Sequence, residues 1–259
     1  MINEKIYLRD NENIYMETFI ISDPLNEGRK RPLIVICPGG GYNFCSDREA
    51  EPVALNFNAA GFHAVVVRYS VNALFPEALC DLSKAVVTVR ENAKKWNVDE
   101  NKIILCGFSA GGHLAASLGV FWDSEERIRR EDKLNMPNGM ILSYPVITSG
   151  EKAHRGSVDT ISGDNSEVLE KVSLEKRVTK STPPTFIWHT FSDELVPVEN
   201  TIYFIDALAK EKIKFESHIY PDGVHGLSLA TEVVSRGPSG VVKEVQSWFS
   251  DAVRWVKNL

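Results

Sequence analysis

One serine lies in a spacing that is typical of an enzymatic nucleophile. The segment Gly107-Phe108-Ser109-Ala110-Gly111 has the pattern G-x-S-x-G. The apolar run at 102–106 predicts a strand before it, and the periodic apolar residues that follow predict a helix after it. In that context the turn is so tight that only small residues fit beside the serine, whose Oγ is held at the N-terminus of the helix. A glycine-rich turn with an incidental serine is the alternative, and the strand–turn–helix pattern favours the nucleophile.

A serine nucleophile needs a histidine base and a carboxylate that orients the histidine. In a sheet of this kind the acid and then the base follow the serine along the chain, each just after a later strand. Asp193 follows the apolar run at 185–189, and His225 follows the run Phe215–Tyr220 in a turn-rich loop. The chain order therefore predicts Ser109, Asp193 and His225 as nucleophile, acid and base.

Other acids and histidines fit these roles less well. The alternative role of Asp193 is to be the N-cap of the next helix. Glu194 is adjacent but would point elsewhere, and Asp222 is too close to His225 along the chain to be its partner. His189 ends a strand one loop too early for a base and is expected to be structural. His63 and His218 lie in predicted strands and are expected either to be packed or to face solvent, and His113 is expected to pack on the nucleophile helix. For His154, in a polar segment, a solvated role is favoured over one in a cap.

Acyl transfer also needs hydrogen-bond donors for the developing oxyanion. The loop at 38–42, Pro-Gly-Gly-Gly-Tyr, follows a predicted strand, and bare backbone N–H groups can face the site there. We expect Gly39 and Gly40 to supply donors, together with the N–H of Ala110 directly after the nucleophile. Such a loop could instead hold a phosphate, but neither G-x-x-x-x-G-K-[ST] nor G-x-G-x-x-G is present.

A second polar motif follows this loop. Ser46-Asp47-Arg48-Glu49 has the spacing of a helix capping box, in which the serine and glutamate side chains bond each other's backbone N–H. The weaker alternative is that Arg48 or Glu49 lines the mouth of a pocket.

Short β-rich runs alternate with helical patterns along the chain. Strands are predicted at 5–8, 14–21, 33–37, 62–69, 102–106, 139–144, 185–189 and 215–220. The first two predict an antiparallel hairpin, and the others are near-continuous apolar runs, typical of strands buried on both faces of a parallel sheet. Apolar residues three and four apart predict helical stripes at 79–96, 198–208 and 241–255. The fold class is therefore α/β: a doubly wound, mostly parallel eight-stranded sheet with helices on both faces. One such sheet must carry all the candidate residues, which predicts a single domain over 1–259.

One polar segment, 148–182, interrupts the alternation. It follows a strand on the side where loops line the binding crevice of open α/β sheets. Structureless loops of this length are uncommon in compact domains, so the pattern favours a short cap over a solvated loop.

The composition and net charge limit the classes of binding partner and bear on the cellular location. The chain has 259 residues, 43% of them hydrophobic and 25% charged, which excludes disorder and coiled coil as the main architecture. The net charge of −6 disfavours nucleic acids and anionic membrane surfaces as partners. Four cysteines show no C-x-x-C pair, so they are expected to be reduced thiols. The N-terminus shows neither a basic region nor an apolar stretch of a signal peptide, and a cytoplasmic location is expected.

These motifs together resemble the α/β-hydrolase superfamily. Four segments are similar to those of small acetyl esterases and acetylxylan-esterase-like carbohydrate esterases, which are related to the hormone-sensitive-lipase group. They are Pro-Gly-Gly-Gly-Tyr, Gly-Phe-Ser-Ala-Gly-Gly-His, Asp193 before Val196-Pro197, and Pro-Asp-Gly-Val-His-Gly. The resemblance implies a metal-free serine esterase for short acyl groups, often acetyl groups on sugars. It also implies the triad Ser109, Asp193 and His225. One departure is Pro38, where the related lipases have a histidine, and it bears on which glycine N–H donates.

The predicted activity is that of a serine carboxylesterase without cofactor or metal. Its substrate would be a small acyl ester, an acetylated sugar or xylo-oligosaccharide. The alternatives are a serine peptidase of the prolyl-oligopeptidase type, which an aminoacyl anilide would reveal, and a non-catalytic module on the same fold. A metal-dependent deacetylase lacks paired His and Asp spacing. The sequence leaves the oligomeric state open.

Overall fold

The computed structural model of the protein describes residues 1–23 and 27–259. Within these ranges the strands form one eight-stranded sheet. The order of the strands across the sheet is β1-β2-β4-β3-β5-β6-β7-β8. The strands are β1 (Lys5–Tyr7), β2 (Tyr15–Phe19), β3 (Arg31–Cys37), β4 (His63–Arg68), β5 (Val98–Phe108), β6 (Gly139–Ser143), β7 (Thr185–Thr190) and β8 (Phe215–Tyr220). β1 and β2 pair antiparallel, β2 pairs antiparallel with β4, and the other neighbours are parallel. The predicted fold class is confirmed.

Burial follows the position of each strand in the sheet. The central strands β4, β5, β6 and β7 are almost wholly buried over their apolar runs, as predicted for strands covered on both faces. The expectation was wrong for β8, where exposed and partly buried residues alternate. β8 is the edge strand beside β7, so its outer surface meets solvent, with Phe215 and Ile219 exposed.

Eight α-helices are found in the described ranges. They are α1 (Glu51–Ala59), α2 (Glu77–Glu91), α3 (Ala93–Trp96), α4 (Ala110–Phe121), α5 (Arg155–Ser162), α6 (Ser166–Lys171), α7 (Glu199–Lys210) and α8 (Ser247–Asn258). The stripe predicted at 79–96 is buried, although Asn92 separates it into α2 and α3. The stripe predicted at 241–255 includes residues before α8, which begins only at Ser247. None of the helices in the described ranges has both the length and the apolar character needed to cross a bilayer.

The buried face of α7 differs from the predicted stripe. Ile202 is 41% exposed, whereas Asn200 and Thr201 are fully buried with Phe204. Asn200 Oδ1 accepts the backbone N–H groups of residues 147 and 148, at 2.9 and 3.1 Å. Polar contacts to the loop after β6 therefore set the orientation of α7, which apolar spacing alone could not reveal.

About half of the polar segment at 148–182 is helical. It contains α5, α6 and a 3-10 turn at Leu174–Lys176, and its apolar residues Val158 and Val172 are buried. The side chain of His113 on α4 ties it to the rest of the chain, because His113 Nε2 lies 2.9 Å from the carbonyl oxygen of Val172. On the other side of the ring, Nδ1 lies 2.8 Å from the hydroxyl of Tyr42 in the glycine-rich loop. One neutral imidazole therefore links α4, that loop and the inserted segment.

The burial of His113 makes stability depend on pH. Burial lowers the pKa of His113 from its usual 6.5 to about 4. The unfolded chain then takes up a proton near pH 6.5 that the folded chain accepts only near pH 4. We predict that the free energy of unfolding falls as the pH decreases from 6.5 towards 4, by about 1.4 kcal/mol per pH unit from this histidine. Urea unfolding at several pH values, on the wild type and on His113→Gln, would measure it. An equal slope in both proteins would contradict the prediction.

Candidate active site

Ser109 occupies the turn between β5 and α4, in a backbone conformation that is rare for a residue with a side chain. Its φ is 53° and its ψ is −118°. The turn is possible because two glycines let backbone segments approach closely. A β-carbon at Gly107 would lie 2.2 Å from the carbonyl oxygen of Gly111, and one at Gly111 would lie 2.1 Å from that of Cys37. The small residues of the G-x-S-x-G motif are therefore required by contact, and the strain at Ser109 is maintained by the packing around it.

The structure brings Ser109, His225 and Asp193 together. His225 Nε2 lies 2.8 Å from Ser109 Oγ, and His225 Nδ1 lies 2.6 Å from Asp193 Oδ2. Since a carboxylate oxygen only accepts, Nδ1–H donates to Asp193, and Nε2 is left to accept the serine proton. The three residues follow β5, β7 and β8, whose carboxyl ends lie at one edge of the sheet. This arrangement can activate a hydroxyl for attack on an electrophilic carbon.

The surroundings of Asp193 keep it ionised. Its Oδ1 accepts the backbone N–H groups of Leu195 and Val196, at 3.0 and 2.9 Å. Burial by itself would raise the pKa of Asp193, but the hydrogen bonds from His189, His225 and Val196 hold that pKa well below its usual range. The alternative role as an N-cap is wrong, because α7 begins only at Glu199. The two N–H groups that Asp193 accepts instead fix its orientation towards His225.

A second histidine contacts the acid. His189 is fully buried at the end of β7, with Nδ1 2.8 Å from Thr201 Oγ1 and Nε2 2.9 Å from the carbonyl oxygen of Val196. These contacts agree with the structural role that the sequence predicted. However, Nε2 also lies 3.3 Å from Asp193 Oδ2, so His189 belongs to the site as a neighbour of the acid. Its spacing of four residues before Asp193 was the available signal.

The glycine-rich loop lies against the turn that carries Ser109. The N–H of Gly39 donates to Glu49 Oε2 at 2.8 Å, so the donor predicted at Gly39 already has an acceptor. In the described part of the chain no protein acceptor is found for the N–H of Gly40 or of Ala110. Gly40 has a φ of +130°, and a β-carbon there would lie 2.1 Å from the carbonyl oxygen of Phe44. The geometry leaves Gly40 and Ala110 as the predicted donors with a free N–H.

The predicted capping box at 46–49 was wrong. Ser46 makes no side-chain capping bond, and Glu49 is 4% exposed with its carboxylate turned into the protein. Arg48 donates to the carbonyl oxygen of Gly226, at 2.8 Å, and to that of Val234. The turn thus contacts the loop that carries His225. The burial of Glu49 against Gly39 and the distant Tyr144 is a tertiary feature that the local motif did not indicate.

An open groove borders the histidine side of the site. It has a volume of about 590 Å³, and its lining includes Glu194, Leu195, Asp222 and Val224.

On the side of the inserted segment, His154 is half-buried and caps α5 by accepting the N–H of Ser157 at 3.2 Å. Burial, and then the neighbouring charge of His225, lower the pKa of His154. The expected solvated role of His154 is therefore wrong.

Within 1–23 and 27–259, no group of three or more His, Cys, Asp or Glu side chains is placed to hold a metal ion.

Comparison with known proteins agrees with this architecture. A sequence profile of the BD-FAE family matches residues 20–208, a range that includes Ser109 and Asp193 but ends before His225. The crystal structure of an acetyl ester-xyloside bifunctional hydrolase from Caldicellulosiruptor lactoaceticus is similar with a TM-score of 0.86 and 35% identity, over 98% of this chain and 96% of that chain. Carboxylesterase Cest-2923 from Lactobacillus plantarum gives a TM-score of 0.88 and 28% identity, over 100% of this chain and 98% of that chain.

Two curated relatives are much longer. Endo-1,4-beta-xylanase B of Butyrivibrio fibrisolvens is 42% identical over 83% of this chain, which covers 35% of that protein. An acetylxylan esterase of Xylanibacter ruminicola is 31% identical over 86% of this chain, which covers 46% of that protein. The chain therefore spans less than half the length of these relatives.

The tight turn generates a prediction. Gly111→Ala should destabilise the protein by about 3 kcal/mol or more, because its β-carbon would overlap a backbone oxygen that no rotamer change can move. Gly237→Ala is the matched control, since nothing lies within 4 Å of a β-carbon there. Urea unfolding of both variants would measure the difference, and equal stabilities would contradict the proposed packing.

Proposed function

Because the chain belongs to the BD-FAE family and has the α/β-hydrolase fold, we propose that it is a serine carboxylesterase. It would remove short acyl groups, acetyl above all, from acetylated sugars or xylo-oligosaccharides through an acyl-serine intermediate. The observation that carries the proposal is the chain of hydrogen bonds from Ser109 Oγ to His225 and on to Asp193, at 2.8 and 2.6 Å. A nucleophile, a base and an orienting carboxylate in this order are the groups that ester cleavage needs.

The proposed reaction has two halves. In the first, His225 Nε2 takes the proton of Ser109 as Oγ attacks the ester carbonyl, and the ionised Asp193 stabilises the imidazolium that forms. The tetrahedral intermediate then collapses, the bond to the alcohol oxygen breaks, and His225 gives its proton to the leaving alcohol. In the second half, a water molecule loses a proton to His225 as its oxygen attacks the carbonyl carbon of the acyl-serine. The bond from that carbon to Ser109 Oγ then breaks, Oγ takes the proton from His225, and the carboxylic acid leaves.

The oxyanion would lie between the free N–H groups of Gly40 and Ala110. Both are backbone donors on rigid turns, so little reorganisation is needed as negative charge develops. Loss of one such donor costs about 3 kcal/mol of transition-state stabilisation in enzymes of this type. The N–H of Gly40 comes from the loop after β3 and that of Ala110 from the start of α4, which places them on two different elements.

The size of the insertion and the names of the relatives support the choice of substrate. The inserted segment consists of two short helices and a 3-10 turn, which is little material for covering a long acyl chain. The groove beside His225 has polar and carboxylate groups, such as Glu194 and Asp222, that could accept hydrogen bonds from sugar hydroxyls. Relatives named as an acetylxylan esterase and an acetyl ester-xyloside hydrolase make an acetylated xylo-oligosaccharide the first substrate to test.

The first test removes the nucleophile. Ser109→Ala should lower kcat/KM for an aryl acetate by about four orders of magnitude, because no other group can form the acyl intermediate. The fold should persist, since the smaller side chain fits the same turn. Steady-state hydrolysis and circular dichroism would measure both. Ser250→Ala, at an exposed serine on α8, is the matched control and should retain wild-type turnover.

A labelling experiment separates the esterase from a non-catalytic module. A fluorophosphonate probe should modify the wild type at Ser109 and leave Ser109→Ala unmodified. Turnover that persists in Ser109→Ala would end the serine mechanism. A wild type that neither hydrolyses the aryl acetate nor reacts with the probe would instead favour a binding module.

The second test concerns the acyl group and the alcohol. We predict that kcat/KM for aryl esters is highest at C2 and falls towards C8, because the inserted segment has only two short helices and a 3-10 turn with which to cover a long acyl chain. We also predict release of acetate from acetylated xylo-oligosaccharides. A chain-length series and an acetate assay would measure these, with an aminoacyl anilide as the comparison for peptidase activity. A preference for C8, or faster cleavage of the anilide, would contradict the proposal.

A further inference from the structure

The buried carboxylate of Glu49 has no part in the proposed reaction. It is 4% exposed, and no ion pair to it is found in the described ranges. Burial of a carboxylate without a cation is costly unless its oxygens accept hydrogen bonds. Each oxygen does so here: Oε2 accepts the N–H of Gly39 at 2.8 Å, and Oε1 accepts the hydroxyl of Tyr144 at 2.6 Å. Such a group needs an explanation beyond packing.

Glu49 holds the loop that would bind the oxyanion. A β-carbon at Gly39 would lie 2.8 Å from Glu49 Oε2 and 3.0 Å from Ser109 Cβ, so the carboxylate lies close under the nucleophile turn. By accepting the N–H of Gly39, Glu49 fixes the orientation of the peptide that precedes it. The next N–H, that of Gly40, is then free for the oxyanion.

Tyr144 holds the loop that carries the base. Its hydroxyl oxygen accepts the N–H of Ser228, at 2.8 Å, while its proton goes to Glu49. Its ring packs edge-on against the ring of His225, with the centroids 5.1 Å apart. Burial, and then the charge of Glu49, raise the pKa of Tyr144 well above its usual value, so the hydroxyl remains a donor. Tyr144 thus contacts both the base and the backbone three residues after it.

The turn around Glu49 adds a second link to the same loop. Ser228 Oγ donates to the carbonyl oxygen of Arg48 at 2.8 Å, and Arg48 donates to the carbonyl oxygen of Gly226 at the same distance. Two segments that are about 180 residues apart along the chain are therefore joined directly beside the reacting groups. The oxyanion loop and the histidine loop share one buried anchor.

We infer that Glu49 and Tyr144 form a positioning pair, which holds the N–H of Gly40 and the imidazole of His225 in their positions relative to Ser109. Among the described residues, neither side chain hydrogen-bonds to Ser109, Asp193 or the imidazole of His225; Glu49 acts through the backbone of Gly39, and Tyr144 acts through the backbone of Ser228 and the ring of His225. The inference rests on the proposed function, since it assigns roles around the same site. It predicts an effect on kcat rather than on substrate binding, because the donor and the base act most strongly in the transition state.

The test compares Glu49→Gln and Tyr144→Phe with matched controls. Gln offers an amide N–H₂ where the carboxylate accepts, and Phe removes a single hydroxyl. Glu125→Gln removes another buried carboxylate, one that pairs with Lys171 at 2.5 Å, and Tyr220→Phe removes a hydroxyl from β8. For Glu49→Gln and Tyr144→Phe, we expect kcat on an aryl acetate to fall about 10- to 100-fold, with KM changing less than about threefold. The controls should keep kcat within about threefold of the wild type.

Three further measurements separate positioning from loss of stability. The second-order rate of fluorophosphonate labelling should fall in parallel with kcat, because the adduct uses the same base and donors. The double variant should lose little more than Glu49→Gln alone, because the two side chains act as one unit. Urea unfolding would show whether Glu125→Gln is destabilised to a similar extent without the loss of kcat.

Three results would overturn the inference while the wild type is active. These are unchanged kcat in Tyr144→Phe, losses that add in the double variant, and a loss in Glu125→Gln equal to that in Glu49→Gln. Should Glu49→Gln fail to fold, Tyr144→Phe alone decides the matter, since it preserves the shape of the ring. A wild type without turnover or labelling would instead reject the esterase itself.

Discussion

The close approach of the turn after β5 to the end of β3 is the constraint on which the site depends. Gly111 lies so near the carbonyl oxygen of Cys37 that no β-carbon fits between them. This contact holds Ser109 in its strained conformation, with a φ of 53°. Because the glycine-rich loop begins directly after Cys37, the same contact also brings that loop beside the nucleophile turn. One backbone approach therefore places both the serine and the N–H groups around it.

The parts of the site that could be predicted are those with local signals. A strand, a G-x-S-x-G turn and a helix lie in consecutive segments, so Ser109 was recognisable without any tertiary information. Asp193 and His225 follow later strands, and parallel strands end at one edge of a sheet, so chain order predicted their approach to Ser109. The sheet itself could be predicted for a similar reason, since central strands have continuous apolar runs. The edge strand β8 differed because it has a neighbouring strand on one side only, and the polar residues Glu216, Ser217 and His218 in its own sequence agree with that exposure.

The parts that could not be predicted depend on partners far along the chain. Glu49 has the spacing of a capping box, yet its partner Tyr144 lies 95 residues away. Asn200 and Thr201 turn α7 towards the loop after β6 and towards His189, against the apolar stripe that includes Ile202. In both cases a buried polar group has to find a hydrogen bond, and that requirement outweighs a local preference worth about 1 kcal/mol or less. Such hydrogen bonds can be identified only from the folded structure, in which the sheet brings the partners together.

The two buried carboxylates of the site differ in what their partners can do. Asp193 faces the two imidazoles of His189 and His225, so its negative charge stabilises the cation that proton transfer would create. Glu49 faces only uncharged donors, the N–H of Gly39 and the hydroxyl of Tyr144. A negative charge this near an oxyanion opposes its formation, and the repulsion is not small in a partly buried site. Any contribution of Glu49 to turnover must then come from the geometry it imposes and must exceed that repulsion. For this reason the hydrogen bonds of Glu49, rather than its charge, are the feature whose loss should slow the reaction.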